Sequence, residues 1–281
     1  RNAITSARLL TTLLALAALA ACDAQVVDAV RRPPSVEKPP DPPEPPDPPS
    51  PLATSLIHRY GFDGRGNVAL DSKGAAHGQL VGVTLDGAGS LALDGERSGQ
   101  YVNLPNGMVS GLVNATFEAW LTWRGGGSWQ RIFDFGSSSG GEDMAGAAGI
   151  RYLFLTTASS ADAARSLPGV LRVAYSQNGV DDEDTCQATE ALPVGVPTHV
   201  AVVVDHDQGT FALYRDGALL ALCSLTRPLS AIDDVNDWLG HSNFAADVDL
   251  GASYDEFRVY SAALSAEQLA DSFAAGPDAE P

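Results

Sequence analysis

From residue 54 onward, hydrophobic and polar positions alternate in short runs. The stretch ATFEAWLTW (115–123) places Phe117, Ala119, Leu121 and Trp123 on one face, because successive strand side chains point to opposite sides. RIFDFGS, IRYLFLTT and GVLRVAYS follow as further short strands. THVAVVVD (198–205) is a near-continuous β-branched run, as expected of a strand covered on both faces. GTFALYRDGALLALCSL (209–225) reads as a hairpin, with Asp216-Gly217 suited to a tight type I′ turn. Gly, Asn, Asp and Ser punctuate these runs. There is no internal repeat and no β-α-β alternation. The pattern predicts an all-β, antiparallel two-sheet sandwich.

One helix is expected, at the end of SYDEFRVYSAALSAEQLA (253–270). Ser265 is a good N-cap, and Gln268 three residues later completes a capping box. Leu264 and Leu269 occupy the hydrophobic-staple positions, and Gly276 is a natural stop. Ahead of the helix the stretch alternates as a strand, which puts Asp255, Phe257 and Val259 on one face. A carboxylate sharing a face with two core residues needs a cation, an arginine such as Arg59 or Arg258, or a wet strand end.

The first 53 residues have a different character. RNAITSARLLTTLLALAALAAC carries Arg1 and Arg8 before an apolar run from Leu9 to Ala21. That run is short for a membrane span and suits a signal-peptide core. Its end, Leu19-Ala20-Ala21-Cys22, resembles a bacterial lipobox, which implies cleavage before Cys22 and lipidation of that residue. The alternative is a plain secretory signal. RRPPSVEKPPDPPEPPDPPSPL (31–52) cannot form a helix or a sheet interior, since proline fixes φ and lacks an amide donor. A disordered polyproline-II tether is expected, reaching on the order of 60 Å at about 3.1 Å per residue. The expected division is therefore a signal peptide (1–21), a tether (22–53), a folded domain (54–276) and a tail (277–281).

Composition sharpens this picture. The formal net charge is -18 and lysine occurs only at Lys38 and Lys73. That argues against nucleic acid as a partner, which needs a basic surface. It suits an exported protein, lipid-anchored to a bacterial membrane at the outer membrane or cell surface. After Cys22 two cysteines remain, Cys186 and Cys223. In an exported domain an even pair favours a disulfide over two buried thiols.

The stretch HRYGFDGRGNVALDSKGAAHGQLVGVTLDGAGSLALDGERSGQYVNLP (58–105) resembles the opening of laminin-G-like, concanavalin-A-like jelly rolls. The resemblance continues through FEAWLTW, VPTHVAVVVDHDQGTFALYRDGALLA and YDEFRVYSAALSAEQL, and spans Leu56 to about Phe273. Pro197 stands where the family often has Trp. The resemblance implies a jelly roll, and in many relatives one structural calcium. Carried over, Asp71 and Asp255 supply carboxylates, with backbone carbonyls near His77 and Ser253. Ca²⁺ takes six to eight hard oxygen ligands of this kind.

No catalytic pattern emerges. There is no His-Glu-x-x-His helix, no Gly-x-Ser-x-Gly elbow and no phosphate loop, and the five histidines show no metal-ligand spacing. Glycosidases of this fold need acidic residues alternating along a strand, whereas Glu142 and Asp143 fall in a Gly-rich loop. The acidic run 181–184 reads as a solvated loop tip or a second calcium loop. Trp238 belongs to the core or to a binding face. The leading expectation is a non-enzymatic binding module for a glycan or cell-surface glycoprotein, on the concave sheet or loop rim. Trp129, Arg131, Tyr152, Tyr175 and Asn178 are the candidate contacts, as aromatic platforms and hydrogen-bonders. A protein-contact adhesion domain is the alternative, and a glycosidase is less favoured.

Overall fold

A computed structural model describes residues 50–161, 169–225 and 227–280. The signal peptide, Cys22 and all but the last residues of the tether lie outside the described residues. In chain order the strands are β1 (Leu56–Tyr60), β2 (Arg65–Gly66), β3 (Val68–Ala69), β4 (Gly78–Val81), β5 (Leu85–Asp86), β6 (Leu91–Glu96), β7 (Tyr101–Leu104), β8 (Ala115–Trp123) and β9 (Arg131–Ser138). They continue with β10 (Gly149–Thr156), β11 (Arg172–Ser176), β12 (Asp184–Gln187), β13 (Pro197–Asp205), β14 (Thr210–Arg215), β15 (Ala218–Ser224), β16 (Asn236–Leu239) and β17 (Asp249–Tyr260). Two helices are assigned, α1 (Pro51–Ser55) and α2 (Ala266–Ala275).

The strands form a sandwich. One sheet has seven strands, β1-β17-β8-β13-β14-β15 with β6 also on β17; the other has eight, β12-β11-β10-β9-β16-β7-β4-β3. Between them lies one core. Phe117, Ala119, Leu121 and Trp123 of β8 meet Phe133, Phe135, Leu153 and Leu155 from the facing sheet. Strand β13 is covered on both sides as its sequence predicts. Val200, Val202 and Val204 enter the main core, while Ala201 and Val203 pack outward with Tyr214, Tyr260, Leu264 and Leu269. The Asp216-Gly217 turn has φ of 51° and 74°, both positive as a type I′ turn requires. Helix α2 carries the capping box of Ser265 and Gln268 and ends at Gly276. The short α1, capped by Ser50, begins inside the segment expected to be tether, and its Leu52 packs against the outer cluster.

The shared face of Asp255, Phe257 and Val259 needs correcting. Strand β17 bulges between Tyr254 and Glu256, so Tyr254 pairs with Leu121 and Glu256 with Trp120. One extra residue re-phases the alternation. Ala252 and Tyr254 face the core before the bulge, and Phe257 and Val259 after it. Asp255 is the inserted residue and is partly exposed. Its pKa is raised by burial and then by nearby Asp278. The arginines considered as its partners hold Glu256 instead. Arg59 Nε lies 2.6 Å from Glu256 Oε1, and Arg258 Nε bonds the same oxygen. Arg258 also donates to the carbonyls of Pro277 and Ala279 at 2.6 and 2.8 Å, which pins residues after α2 to the outer face of the seven-stranded sheet.

Cys186 and Cys223 are bonded, with Cα atoms 5.6 Å apart and a sequence separation of 37. Strand β12 is the edge of one sheet and β15 the edge of the other, so the bond joins the two sheets along one side of the sandwich. Closing a loop of this length is worth roughly 3–4 kcal/mol in the chain-entropy account. Replacing both cysteines by serine is expected to lower unfolding free energy in urea by about that amount, and unfolded, unreduced wild-type protein should show no reactive thiol from this pair.

Candidate functional site

The site is built on the face of the eight-stranded sheet turned away from the core. On β10, Leu153 and Leu155 point inward. Tyr152 and Phe154 therefore point outward, where they cluster with Ala174 of β11 and touch Trp129 and Phe244. The same alternation sets Asp134 of β9 opposite Phe154 and Arg172 of β11 opposite Thr156.

Asp134 is fully buried. It accepts the backbone N–H of Asn243 and its side-chain amide, both at 2.9 Å, and Arg131 Nε at 3.3 Å. Burial pushes its pKa up, against the opposing pull of Arg131 and Asn243. Arg131 is also buried. Its Nη2 lies 2.8 Å from Asp247, and its Nη1 donates to the Trp129 carbonyl at 2.9 Å. The guanidinium sits 3.8 Å from the centroid of Phe154, a cation–π contact strengthened by its dry surroundings. Ser242 Oγ donates to Asp247 at 2.9 Å. These bonds fix residues 242–247 and seat Phe244 edge-on to Tyr152, 5.5 Å between centroids. Gly149 makes that seat possible, because a Cβ there would stand 2.6 Å from the Phe244 ring.

Trp129 closes the other side. Its φ is 67°, a conformation costing a non-glycine residue on the order of 1–3 kcal/mol. Its backbone N–H donates to Ala158 at 2.7 Å, and its Nε1 to Ser160 at 2.6 Å. The Arg131 and Arg172 guanidiniums each lie 5.6 Å from its ring. Arg172 pairs with Glu183, whose Oε1 accepts the Tyr152 hydroxyl at 2.7 Å. Trp129, Phe154 and Phe244, with Arg131, Arg172, Val180, Glu183 and Asp247, line a cavity of about 290 Å³. Ring faces beside fixed charged donors and acceptors can stack on the apolar side of a sugar and bond its hydroxyls.

Two of the expected contacts, Trp129 and Arg131, line this cavity. Tyr152 lies beneath it, fully buried. Tyr175 faces the core, its hydroxyl donating to Pro228 at 2.7 Å. Asn178 lines a separate cavity with Arg151, Gln177 and Asp182. Trp238 is buried, with Nε1 on Asn103 at 3.0 Å. Phe154 was open to sequence reasoning, being two residues from Tyr152 on one strand. Glu183 was hidden in an acidic run that reads as a loop tip, and Phe244 and Asp247 in a loop without periodicity.

Of the residues expected to hold calcium, Asp71 and His77 lie between β3 and β4, and Ser253 and Asp255 on β17. Asp71 is buried, and its Oδ1 accepts backbone N–H groups of Arg59, Lys73 and Gly74 at 3.0, 3.0 and 2.9 Å. Its Oδ2 takes the Ala76 N–H at 3.1 Å and lies 2.7 Å from His58 Nδ1. His77 Nδ1 accepts the Asp71 N–H at 3.1 Å. Ser253 sits mid-sheet, paired with Ala92 and Thr122, and Asp255 is the bulge residue two positions on. Among the described residues no group of three or more His, Cys, Asp and Glu could hold a metal. A carboxylate surrounded by N–H donors organises the loop itself.

The family described as the concanavalin A-like lectin/glucanases superfamily matches residues 94–270. No curated protein sequence matches the chain. Among solved structures, domain 4 of AbnA, a GH43 extracellular arabinanase from Geobacillus stearothermophilus in complex with arabinotriose, is similar at 16% identity and a TM-score of 0.53, covering 77% of this chain and 97% of that one. The Ruminococcus gnavus IT-sialidase CBM40 bound to α2,3-sialyllactose is similar at 18% identity and a TM-score of 0.51, covering 65% and 95%. The Trypanosoma rangeli sialidase is similar at 16% identity and a TM-score of 0.55, covering 78% of this chain and 32% of that one. These likenesses establish the jelly-roll fold.

Burial pushes the Asp71 carboxyl up, but the Gly74 N–H, His58 and the other donors outweigh it and hold its pKa below the usual range. A depressed carboxylate pKa contributes stability above the unfolded value that is lost as pH falls through the folded one. Asp71→Asn is therefore expected to cost about 1–3 kcal/mol at neutral pH, with the deficit shrinking below about pH 4. A calcium-dependent rise in melting temperature that Asp71→Asn removes would place the ion at this loop, and equal melting temperatures in calcium and in EDTA would leave Asp71 a loop organiser alone. With these observations in place, the chain belongs to the concanavalin A-like lectin/glucanases superfamily.

Proposed function

We propose that this superfamily member is a non-catalytic carbohydrate-binding module whose ligand enters the cavity between Trp129, Phe154 and Phe244. The observation that carries the reading is that cavity itself: three aromatic rings around two guanidiniums, each oriented by its own carboxylate. Recognition needs no conformational change. Arg131 is already locked by Asp134 and Asp247, and the rings are already seated, so little ordering entropy opposes binding. The bound ligands named for the arabinanase domain and the CBM40 module support a glycan as the class.

The reading extends to segments outside the described residues. Residues 1–21 act as a signal peptide, Cys22 takes the lipid, and residues 22–53 tether the domain to a bacterial cell envelope. The partners are then a membrane, through the lipid, and an extracytoplasmic glycan or glycoprotein.

A second reading has one observation in its favour. Glu183 and Asp247 both line the cavity, and burial raises the pKa of Asp247, with Arg131 opposing, as suits a general acid. Both carboxylates are committed to arginines, which suits positioning better than proton transfer. Incubating the protein with a bound polysaccharide and looking for new reducing ends separates the two. No release is expected, and steady release abolished by Asp247→Asn would make it a glycosidase.

A polysaccharide and glycan-array screen of the folded domain is expected to give binding that Trp129→Ala weakens roughly tenfold or more, with the melting temperature nearly unchanged. Binding that survives Trp129→Ala would move the site elsewhere. Absence of binding to any glycan would favour a protein-contact role.

A further inference from the structure

A second cavity, of about 260 Å³, lies on the far side of Phe244 and shares Phe244 and Asp247 with the first. Its lining includes the His241 imidazole as well as the Phe244 ring. His241 stacks on Tyr101, 4.6 Å between centroids at 17°, and lies 4.8 Å from Trp238. Its Nδ1 is 2.6 Å from Asp249 Oδ1, and the other Asp249 oxygen accepts the Gly99 N–H at 2.8 Å. The imidazole is thus held flat and fixed, with its Nδ1 already used. A guanidinium is present here as well. Arg97 donates to the carbonyls of Ala245 and Ala246 at 3.2 and 3.0 Å.

The wall between the cavities is clamped from both sides. Arg131 holds the Asp247 side chain on one, and Arg97 holds the backbone on the other. Behind it, Gly146 donates to Asn243 at 3.1 Å and accepts from Ala245 at 2.8 Å. The ring of Phe244 therefore stands as a rigid ridge between two depressions. Each depression is lined by planar rings, a guanidinium and a carboxylate. Repetition of one chemistry on either side of a ridge matches a ligand that itself repeats.

We infer that the site takes a chain of at least two linked sugar units, one in each cavity, with the linkage crossing Phe244. The inference rests on the carbohydrate reading of the first cavity and adds the ligand's minimum length. His241 and Arg97 contact the second unit, and Trp129 and Phe154 the first. The ridge, being preorganised, converts the second contact into an intramolecular one.

Calorimetry with one-, two- and three-unit ladders of arabinan, β-1,4-glucan and polygalacturonic acid tests this directly. At least one ladder is expected to gain about tenfold or more in affinity between one and two units. His241→Ala should erase that gain. Ala145→Trp, which adds bulk at a residue lining the second cavity and removes none of the side chains named above, should bring the two-unit affinity down to the one-unit value. Equal affinity for one and two units in every ladder that binds, or a length gain untouched by Ala145→Trp, overturns the second subsite and leaves the first standing. No binding in any ladder by protein with a cooperative melt overturns the carbohydrate reading and the inference together.

Discussion

The site rests on one buried carboxylate. Asp134 projects from the middle of β9 into a fully buried position beneath Phe244 and Arg131's loop partners, where an ionised group without partners would be strongly unfavourable. Its partners come from a single loop and a single arginine. Satisfying Asp134 therefore draws Asn243 down onto the sheet, and the same act sets Phe244, Asp247 and Arg131 in place. Removing one member of such a buried set costs more than the bond it made, since it leaves charge uncompensated. The geometry of the cavity is thus a by-product of a desolvation problem solved locally, and its lining is held in place before anything enters it.

Charge is distributed unevenly around that surface. The chain carries a formal net charge of -18, yet Arg131 and Arg172 balance Glu183 and Asp247 in the first cavity. Long-range attraction of an anionic polymer is not built into such a molecule. At physiological ionic strength, fields fade within about 8 Å, so selectivity falls to contacts inside the cavity. A fixed guanidinium beside a carboxylate offers donors and acceptors together, which is what a polyhydroxylated ligand can use and a simple anion cannot.

Much of the architecture was legible because period-two alternation states which residues face each other. Phe117 to Trp123, the doubly covered β13, the Asp216-Gly217 turn and the capped α2 all followed from local rules. The β17 bulge did not, since an inserted residue leaves the composition of a strand unchanged while inverting its phase. That is why Asp255 looked inward and Glu256, the residue that pairs with Arg59 and Arg258, went unnoticed. Trp129 and Arg131, chosen as an aromatic platform and a hydrogen-bonder on a middle strand or adjoining loop, do line the cavity. Phe244 and Asp247 escaped because a loop position acquires meaning only through what it touches, here Tyr152 and Arg131, both far earlier in the chain. Tyr175 was misplaced in the opposite way: its strand was right and its face was wrong, a matter settled by register with Leu153.

The chain enters and leaves the domain at the back of the sandwich. Leu52 packs beneath α2, Leu56 pairs with Tyr260 at the end of β17, and Arg258 holds the last residues on the same outer face. The aromatic cavity opens on the outer face of the other sheet, with the whole core between. The first described residues and the cavity therefore lie on opposite faces of the sandwich, so a ligand seated in the cavity leaves the entry strand and the pinned C-terminal residues uncovered.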